Sequence, residues 1–142
     1  MEEKFLVFCV KGNRYAIPSK SISEVAVLDK YFPLPLVPDY IRGIINRYSI
    51  PFALIDICRF LLNDDSDSHK IIVLKEEIDK LAFLIDDILD IVDLPHEKII
   101  KTDLEECSSA RSIKAYFEWK GSNVFCIDTE ELINCIKQDF TR

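Results

Sequence analysis

Clustered carboxylates are the residues of this sequence whose spacing most suggests chemistry. They stand closest together in Asp86-Asp87-Ile88-Leu89-Asp90. On a helix, this spacing would place the three acids on one face, where they could hold Mg²⁺ for diphosphate chemistry. On strands or at a bend the same carboxylates point apart. Because the sequence also offers no Gly-rich phosphate loop and no nucleophile with a matched base, we predict that the protein is not an enzyme.

Cysteines and histidines are the other candidate reactive groups. The five cysteines are Cys9, Cys58, Cys107, Cys126 and Cys135. They form no Cys-x-x-Cys pair, and their odd number and wide spacing favour reduced, mostly buried thiols in a cytosolic protein. His69 and His96 stand apart, without a matching set of metal ligands. We therefore predict no catalytic residue, no cofactor and no metal.

The overall charge limits the classes of partner. The 142 residues carry a formal net charge of -7, and no local cluster of Lys and Arg reverses it. Since a phosphate backbone would be repelled, nucleic acid is not expected as a partner.

The start, MEEKFLVF, carries acidic residues where a secretory signal carries basic ones, and no apolar run is long enough to span a bilayer. We expect a cytoplasmic protein without direct membrane contact.

The elements that position these side chains are mainly strands. Apolar runs of strand length, such as FLVFCV, PFALI and NVFCI, alternate with polar or turn residues, which is typical of an all-β barrel or sandwich. Two of the three glycines stand in turn sequences, Lys11-Gly12-Asn13-Arg14 and Lys120-Gly121-Ser122-Asn123. In the first of these, Gly12 and Asn13 fit the positive φ angles of a tight hairpin turn.

Two short helices are predicted, and each follows an aspartate. The segment ICRFLLN comes after Asp56, and TEELINCIKQ comes after Asp128. Asp56 is expected to be a helix N-cap, accepting amide protons where a strand turns into a helix. Asp128 with Glu131 resembles a capping box in which Asp replaces the usual Ser or Thr.

An internal repeat settles one segment that periodicity leaves open between helix and strand, LAFLIDDILDIVDL. At an offset of 66 residues, Leu-Val-Phe at 6–8 matches Ile-Val-Leu at 72–74, and Ala16 matches Ala82. At an offset of 72, FALIDI at 52–57 matches VFCIDT at 124–129, and a longer loop near TDLEECSSA would absorb the difference. The repeat predicts one domain over 1–142, made of two similar β-barrel halves, roughly 1–65 and 66–142, with strands possibly exchanged between the halves.

The centre of the chain resembles a known family motif. It reads I-R-G-I-I-N-R-Y-S-I-P-F-A-L-I-D-I over residues 41–57. The chain is similar here to the CheW family of bacterial chemotaxis adaptors, whose pattern runs (I/V)-(R/K)-G-x-(I/V)-N-L-R-G-x-(I/V)-x-P-(V/I)-(I/V)-D-L. The opening FLVFCVKGNRYAIP and the later LAFLIDDILDIVDLP also look like family segments. The resemblance covers essentially the whole chain.

This resemblance implies a fold, a function and a set of contacts. The fold would be two packed SH3-like barrels of five strands each, with short helices after Asp56 and at the C-terminus. The function would be a non-catalytic adaptor or scaffold that couples the cytoplasmic tip of methyl-accepting chemoreceptors to the regulatory domain of a CheA-type histidine kinase. The implied partner-binding residues are Ile22, Glu24, Arg42, Gly43, Arg47, Tyr48 and Ile88.

The sequence departs from the family at two places in this motif. The family's proline before the last apolar pair is Ala53 here, and Pro51 stands two positions early. The family's Leu-Arg-Gly after the asparagine is Arg47-Tyr48-Ser49 here, so the arginine stands one position early and the glycine is replaced. Because side chains alternate in direction along a strand, a shift of one residue can turn Arg47 elsewhere. Whether Arg47 or Tyr48 replaces the family arginine is open at this point. An alternative is therefore a CheW-like binding module in a two-component pathway outside chemotaxis.

Overall fold

A computed structural model describes residues 2–101 and 112–140 of the chain. Across these two ranges most of the regular secondary structure is strand. The strands are β1 (Glu2–Val10), β2 (Asn13–Pro18), β3 (Ile22–Val27), β4 (Ile41–Arg47), β5 (Ile50–Asp56), β6 (Lys70–Leu74), β7 (Leu81–Ile85), β8 (Asp87–Pro95), β9 (Ile100–Lys101), β10 (Ile113–Trp119) and β11 (Ser122–Ile127). The helices are a π-helix (Cys58–Leu62), α1 (Thr129–Phe140) and two 3-10 turns (Ser19–Ser21, His96–Lys98). The prediction of an all-β protein with a short helix after Asp56 and another at the C-terminus is confirmed.

The strands form two compact units, each with its own sheet. Unit 1 comprises Met1–Lys20 and Asp87–Arg142, and unit 2 comprises Ser21–Asp86. The sheet of unit 1 has the order β8-β1-β2-β11-β10-β9, and the sheet of unit 2 has the order β3-β6-β7-β5-β4. Unit 1 therefore has one strand more than predicted, the two-residue β9. Each sheet keeps two edge strands, and the SH3-like character lies in its strand order rather than in full closure.

The boundaries of the units differ from those of the predicted sequence halves, 1–65 and 66–142. Strands β1 and β2 pair with β8 and β11 from the second half, whereas β3, β4 and β5 lie in one sheet with β6 and β7. The prediction allowed an exchange of strands between the halves but did not say which strands exchange, because a repeat does not show which half each strand pairs with. The loop near TDLEECSSA, which was expected to absorb the change of offset, lies outside the described residues, as does Cys107.

Strand register follows the repeat residue by residue. Val7 pairs with Ala16 in unit 1, and Val73 pairs with Ala82 in unit 2, both shifted by 66 residues. The register shift between Ile22 and Glu24, where β3 meets β6, recurs where β8 meets β1, between Ile88 and Asp90. The offset of 72 is equally regular: β4 pairs with β5 as β10 pairs with β11. The segment left open by periodicity forms two strands, β7 and β8, as the repeat predicts.

The cores of the two units are filled by matching positions. Unit 1 is packed around Phe5, Val7, Ala16, Leu94, Phe117, Val124 and Cys126. Unit 2 is packed around Ile45, Phe52, Leu54, Ile71, Val73, Ala82 and Leu84, with Leu28 partly buried against them. Cys126 occupies the position that Leu54 occupies in unit 2, which explains why a thiol is buried there. Of the cysteines in the described ranges, Cys58 and Cys126 are buried, and Cys9 and Cys135 are half-buried.

The hairpin turns at the two predicted turn sequences have two residues each, both with positive φ. In the first turn these are Lys11 (51°) and Gly12 (79°). The prediction placed this pair one residue later, at Gly12 and Asn13, but Asn13 already pairs with Val10 and begins β2. The turn between β10 and β11 uses Lys120 and Gly121 in the same way. Two left-handed residues in a two-residue loop match the right-handed twist of the flanking strands.

Candidate functional site

Arg47 and Glu24 form an ion pair on the surface of unit 2. Arg47 is the last residue of β4, and its guanidinium contacts the Glu24 carboxylate on β3. The two strands are the edges of the five-stranded sheet, so the pair joins residues that are distant in the sheet order. About a quarter of each side chain is exposed, 27% for Arg47 and 25% for Glu24. The arginine that stands one position early thus has a defined partner, and that partner is another of the predicted contact residues.

Tyr48 stands beside this pair at the tip of the hairpin between β4 and β5. Arg47 pairs with Ile50, which leaves Tyr48 and Ser49 as the two turn residues. Both have positive φ, 54° and 67°. The Tyr48 side chain is 83% exposed, and its ring centroid lies 5.7 Å from the Arg47 guanidinium carbon. Tyr48 therefore presents an aromatic ring to solvent next to a half-buried ion pair, and Arg and Tyr are favoured anchors in protein interfaces.

A surface groove runs alongside these residues. It has a volume of about 180 Å³, and Arg47, Tyr48 and Glu24 line it together with Glu76 and Glu77. Ile50, Phe52 and Val73 also line it and supply apolar surface. We call this feature the Arg47 groove. It combines apolar surface with charges of both signs, which is the composition of a polar-rimmed contact site.

A second groove is also lined by Arg47. Its volume is about 210 Å³, and Val27, Lys30, Phe32 and Asn46 line it with Arg47. Val27 and Phe32 are exposed large apolar residues, at 64% and 52%. Neither residue was predicted from the sequence. Alternation along β3 puts Val27 on the same face as Ser23, which is exposed, and this could have indicated Val27. Phe32 lies in an irregular segment, whose position no periodicity predicts.

Arg42 has a structural partner rather than a free surface position. Its Nε and a terminal nitrogen donate to the same oxygen of Asp56, at 3.0 and 2.9 Å. Asp56 is 1% exposed, and its second oxygen accepts the Arg59 amide at 3.3 Å and the Ser66 hydroxyl at 3.5 Å. Burial lowers the pKa of the Arg42 guanidinium, but the hydrogen bond and charge of Asp56 outweigh it, and the pKa is raised. Arg42 thus compensates a buried charge.

The Arg59 contact is the amide bond that the sequence predicted for Asp56, although the residue directly before the π-helix is Ile57 and Asp56 lies one position further back. Asp128, at the repeat-equivalent position, accepts the Glu131 amide at 3.1 Å in the same way before α1. In a capping box the Glu131 carboxylate would also accept the Asp128 amide. Here the Asp128 amide donates to the Ser112 carbonyl at 2.7 Å instead, and Glu131 pairs with Lys114. The Arg42 partner of Asp56 was not predicted.

Gly43 is buried, and its lack of a side chain is explained by a close backbone approach. Its φ is 153°, and a Cβ atom added here would meet the Phe32 carbonyl, with its carbon at 2.7 Å, and Pro33 Cα at 2.9 Å. Phe32 forms an isolated bridge with Ile44, through hydrogen bonds of 2.8 and 2.9 Å. The repeat-equivalent residue of unit 1 is Ala115. Gly43 therefore lets the segment before β4 lie against the strand.

Ile22 and Ile88 occupy equivalent positions of the two units. Ile22 begins β3 and pairs with Leu74, while Ile88 on β8 pairs with Phe8. Both isoleucines are half-buried. Of the seven predicted contact residues, the structure brings together Glu24, Arg47 and Tyr48. Arg42, Gly43 and Ile22 lie elsewhere in unit 2, and Ile88 lies in unit 1.

The carboxylate string at 86–90 does not lie on a helix. Asp86 follows β7 and accepts a hydrogen bond from the Ser68 hydroxyl, and Asp87 and Asp90 lie on β8. Within residues 2–101 and 112–140, no three His, Cys, Asp or Glu side chains group as metal ligands. Over the same ranges, no helix has the length and apolar character needed to cross a membrane.

Two units with SH3-like strand order, each carrying matched hairpins, define an all-β protein of a recognisable class. The family model of the CheW-like domain matches residues 4–137. The chain therefore belongs to the CheW-like domain family.

Two similar proteins agree with this assignment. The chain is 29% identical over 104 residues to "Chemotaxis protein CheW" of Bacillus subtilis (strain 168), a match that covers 70% of this chain and 65% of that protein. It thus spans just under two thirds of the length of this curated relative. The crystal structure of scaffolding protein TtCheW from Thermoanaerobacter tengcongensis is similar with a TM-score of 0.80, at 17% identity and 89% coverage of both chains. This second likeness shows the fold.

Proposed function

We propose that the chain is a non-catalytic adaptor that couples chemoreceptors to a CheA-type histidine kinase in bacterial chemotaxis. Membership of the CheW-like domain family supports this, and so do the names of its relatives, one a chemotaxis protein and the other a scaffolding protein. The partners are the kinase regulatory domain and the cytoplasmic tip of a methyl-accepting receptor. In this function the chain works in the cytoplasm and reaches the membrane only through its receptor.

The observation that carries the proposal at residue level is the cluster of Glu24, Arg47 and Tyr48 beside the Arg47 groove. Three residues that the family resemblance implies as contacts meet at one place on the surface, where Glu24 of β3 lies beside the neighbours Arg47 and Tyr48. We propose that Arg47 takes over the charge of the family arginine from its shifted position. Glu24 orients it, and Tyr48 contributes the aromatic surface at the tip of the hairpin.

The other four predicted contact residues have smaller roles in this proposal. Arg42 and Gly43 support the surface from within unit 2, because one compensates buried Asp56 and the other accommodates Phe32. Ile22 and Ile88 are half-buried, so each offers only part of its side chain to a partner. A partner contact at Ile88 would lie on unit 1.

Reconstitution of kinase stimulation tests the proposal. Purified receptor signalling domain, kinase and this chain are combined, and phosphate transfer is compared for wild type, Arg47→Ala and Tyr48→Ala. The matched control is Lys120→Ala, because Lys120 occupies the equivalent turn position of unit 1. We expect both unit 2 variants to lose most of the stimulation while the control keeps it. A wild-type chain that gives no stimulation with folded partners would refute the function.

The second candidate is a CheW-like module in a two-component pathway outside chemotaxis. The replacement of the family's Leu-Arg-Gly by Arg47-Tyr48-Ser49 favours it, since this change alters the exposed hairpin tip. Capture experiments separate the two candidates. Retention of a kinase regulatory domain without retention of any chemoreceptor tip would favour the second one.

A further inference from the structure

Each unit is built from strands of both sequence halves. Unit 1 combines β1 and β2 of the first half with β8, β10 and β11 of the second, and unit 2 combines β3, β4 and β5 with β6 and β7. Neither half contains a complete sheet of its own. The core shows the same dependence, because Val7 and Ala16 pack in one cluster with Phe117 and Val124 from the other half.

The strand pairings that join the halves occur twice, in the same register. Antiparallel Val25–Ile72 between β3 and β6 corresponds to Ile91–Leu6 between β8 and β1, at an offset of 66. Parallel Leu54–Ala82 between β5 and β7 corresponds to Cys126–Ala16 between β11 and β2. The surface that the first half offers to the second is therefore also the surface that the second offers to the first. This is the arrangement of an isologous contact, in which one patch meets its own equivalent.

The two halves are joined by a short polar connection. Residues 63–69, NDDSDSH, lie between the π-helix and β6 and belong to neither sheet. In the described part of the chain no strand pairing depends on this connection, because the pairings between halves found there are made by β1, β2, β3, β5 and their partners. A half from another copy of the chain would meet the same hydrogen-bonding edges and the same core positions.

We propose that the two halves are complementary modules that different copies of the chain can supply to one another. A second copy is then a partner that binds by reciprocal exchange of halves, with both units rebuilt from mixed strands. Such an exchange keeps every strand pairing of the monomer, and only the 63–69 connection changes its path, together with the hydrogen bonds that Ser66 and Ser68 make from it.

A cleavable form of the full chain tests this. A specific protease site is inserted between Asp64 and Asp65, and circular dichroism first establishes that the uncut protein keeps the wild-type spectrum and a cooperative transition. The protein is then cut while folded. We expect the two pieces to elute together at the position of the uncut chain and to keep its spectrum. Pieces that separate under conditions in which the uncut chain is folded would overturn the proposal.

Exchange itself is measured with two cut preparations, one labelled with ¹⁵N. After joint unfolding in urea and refolding, native mass spectrometry is expected to find particles that combine a labelled first half with an unlabelled second half. Mixing without urea is the control and should give none. For the intact chain, refolding at rising concentration should yield a growing share of dimer with the spectrum of the monomer. Refolded mixtures without hybrids, or an intact chain that is monomeric at every concentration, would contradict exchange between copies.

Discussion

Replacement of Gly43 by alanine should destabilise the protein far more than a typical change from glycine to alanine. The added Cβ would lie 2.7 Å from the Phe32 carbonyl carbon and 2.9 Å from Pro33 Cα, so the backbone before β4 must move away. That movement breaks the two Phe32–Ile44 hydrogen bonds, at about 1 kcal/mol each. The φ of 153° adds backbone strain of about 1 to 2 kcal/mol. The free energy of unfolding should fall by about 3 to 4 kcal/mol in total.

Urea unfolding followed by far-UV circular dichroism measures this loss. With a slope of about 2 kcal/mol/M, the midpoint should fall by about 1.5 to 2 M. The matched control is Ala115→Gly, at the equivalent position of unit 1, which should cost about 1 kcal/mol or less. If Gly43→Ala costs no more than this control, the close approach of the Phe32 carbonyl does not explain the glycine.

Three further predictions concern single side chains. Arg42→Met should lower the free energy of unfolding by about 2 kcal/mol, which is less than for a fully buried pair because the Arg42 side chain is 33% exposed. The control Lys114→Met removes the exposed Lys114–Glu131 pair and should change it by under about 0.5 kcal/mol. Equal losses in urea titrations would argue against a role for the buried Asp56 charge. Ser49→Gly should raise stability by about 1 kcal/mol by relieving a φ of 67°, and Gly121→Ser should lower it similarly; a lower melting temperature for Ser49→Gly would contradict this. Burial raises the pKa of the Cys126 thiol to about 12, so the stability due to the neutral thiol is complete below about pH 8.5 and is lost as the pH rises towards 12. Cys126→Ala should weaken the fall in stability over that window, and alkylation of Cys126 in the folded chain at pH 8 would refute the burial.

Much of the fold could be predicted from the sequence because equivalent residues of the repeat occupy the same positions in the strand pairing of each unit. Matches such as Val7 with Val73 and Ala16 with Ala82 mark paired strand positions, so they carry information about both strand and neighbour. The assignment of strands to units was not readable in the same way. A repeat shows which residues are equivalent, but both self-paired and exchanged halves satisfy the same equivalences.

The candidate site was predicted in part. The family motif indicated Arg47 and Tyr48, and the hairpin shows what the shift of one residue does: Arg47 is the last residue of β4, and Tyr48 occupies the left-handed turn position. The Glu24–Arg47 pair could not be derived, because it joins opposite edge strands of the sheet. The role of Arg42 depends on the burial of Asp56, and the role of Gly43 depends on Phe32, whose position follows from no local pattern.

Direct binding of a CheA-type kinase regulatory domain tests the central claim most closely. Isothermal titration calorimetry with the wild-type chain should give a dissociation constant of about tens of micromolar or tighter, in the range of modular contacts that an array strengthens by multivalency. Arg47→Ala should weaken binding at least about tenfold, equivalent to about 1.4 kcal/mol, while Lys120→Ala should leave it unchanged. Absence of binding by the folded wild-type chain would contradict the proposed coupling to the kinase, and equal effects of the two variants would contradict a kinase contact at the Arg47 groove.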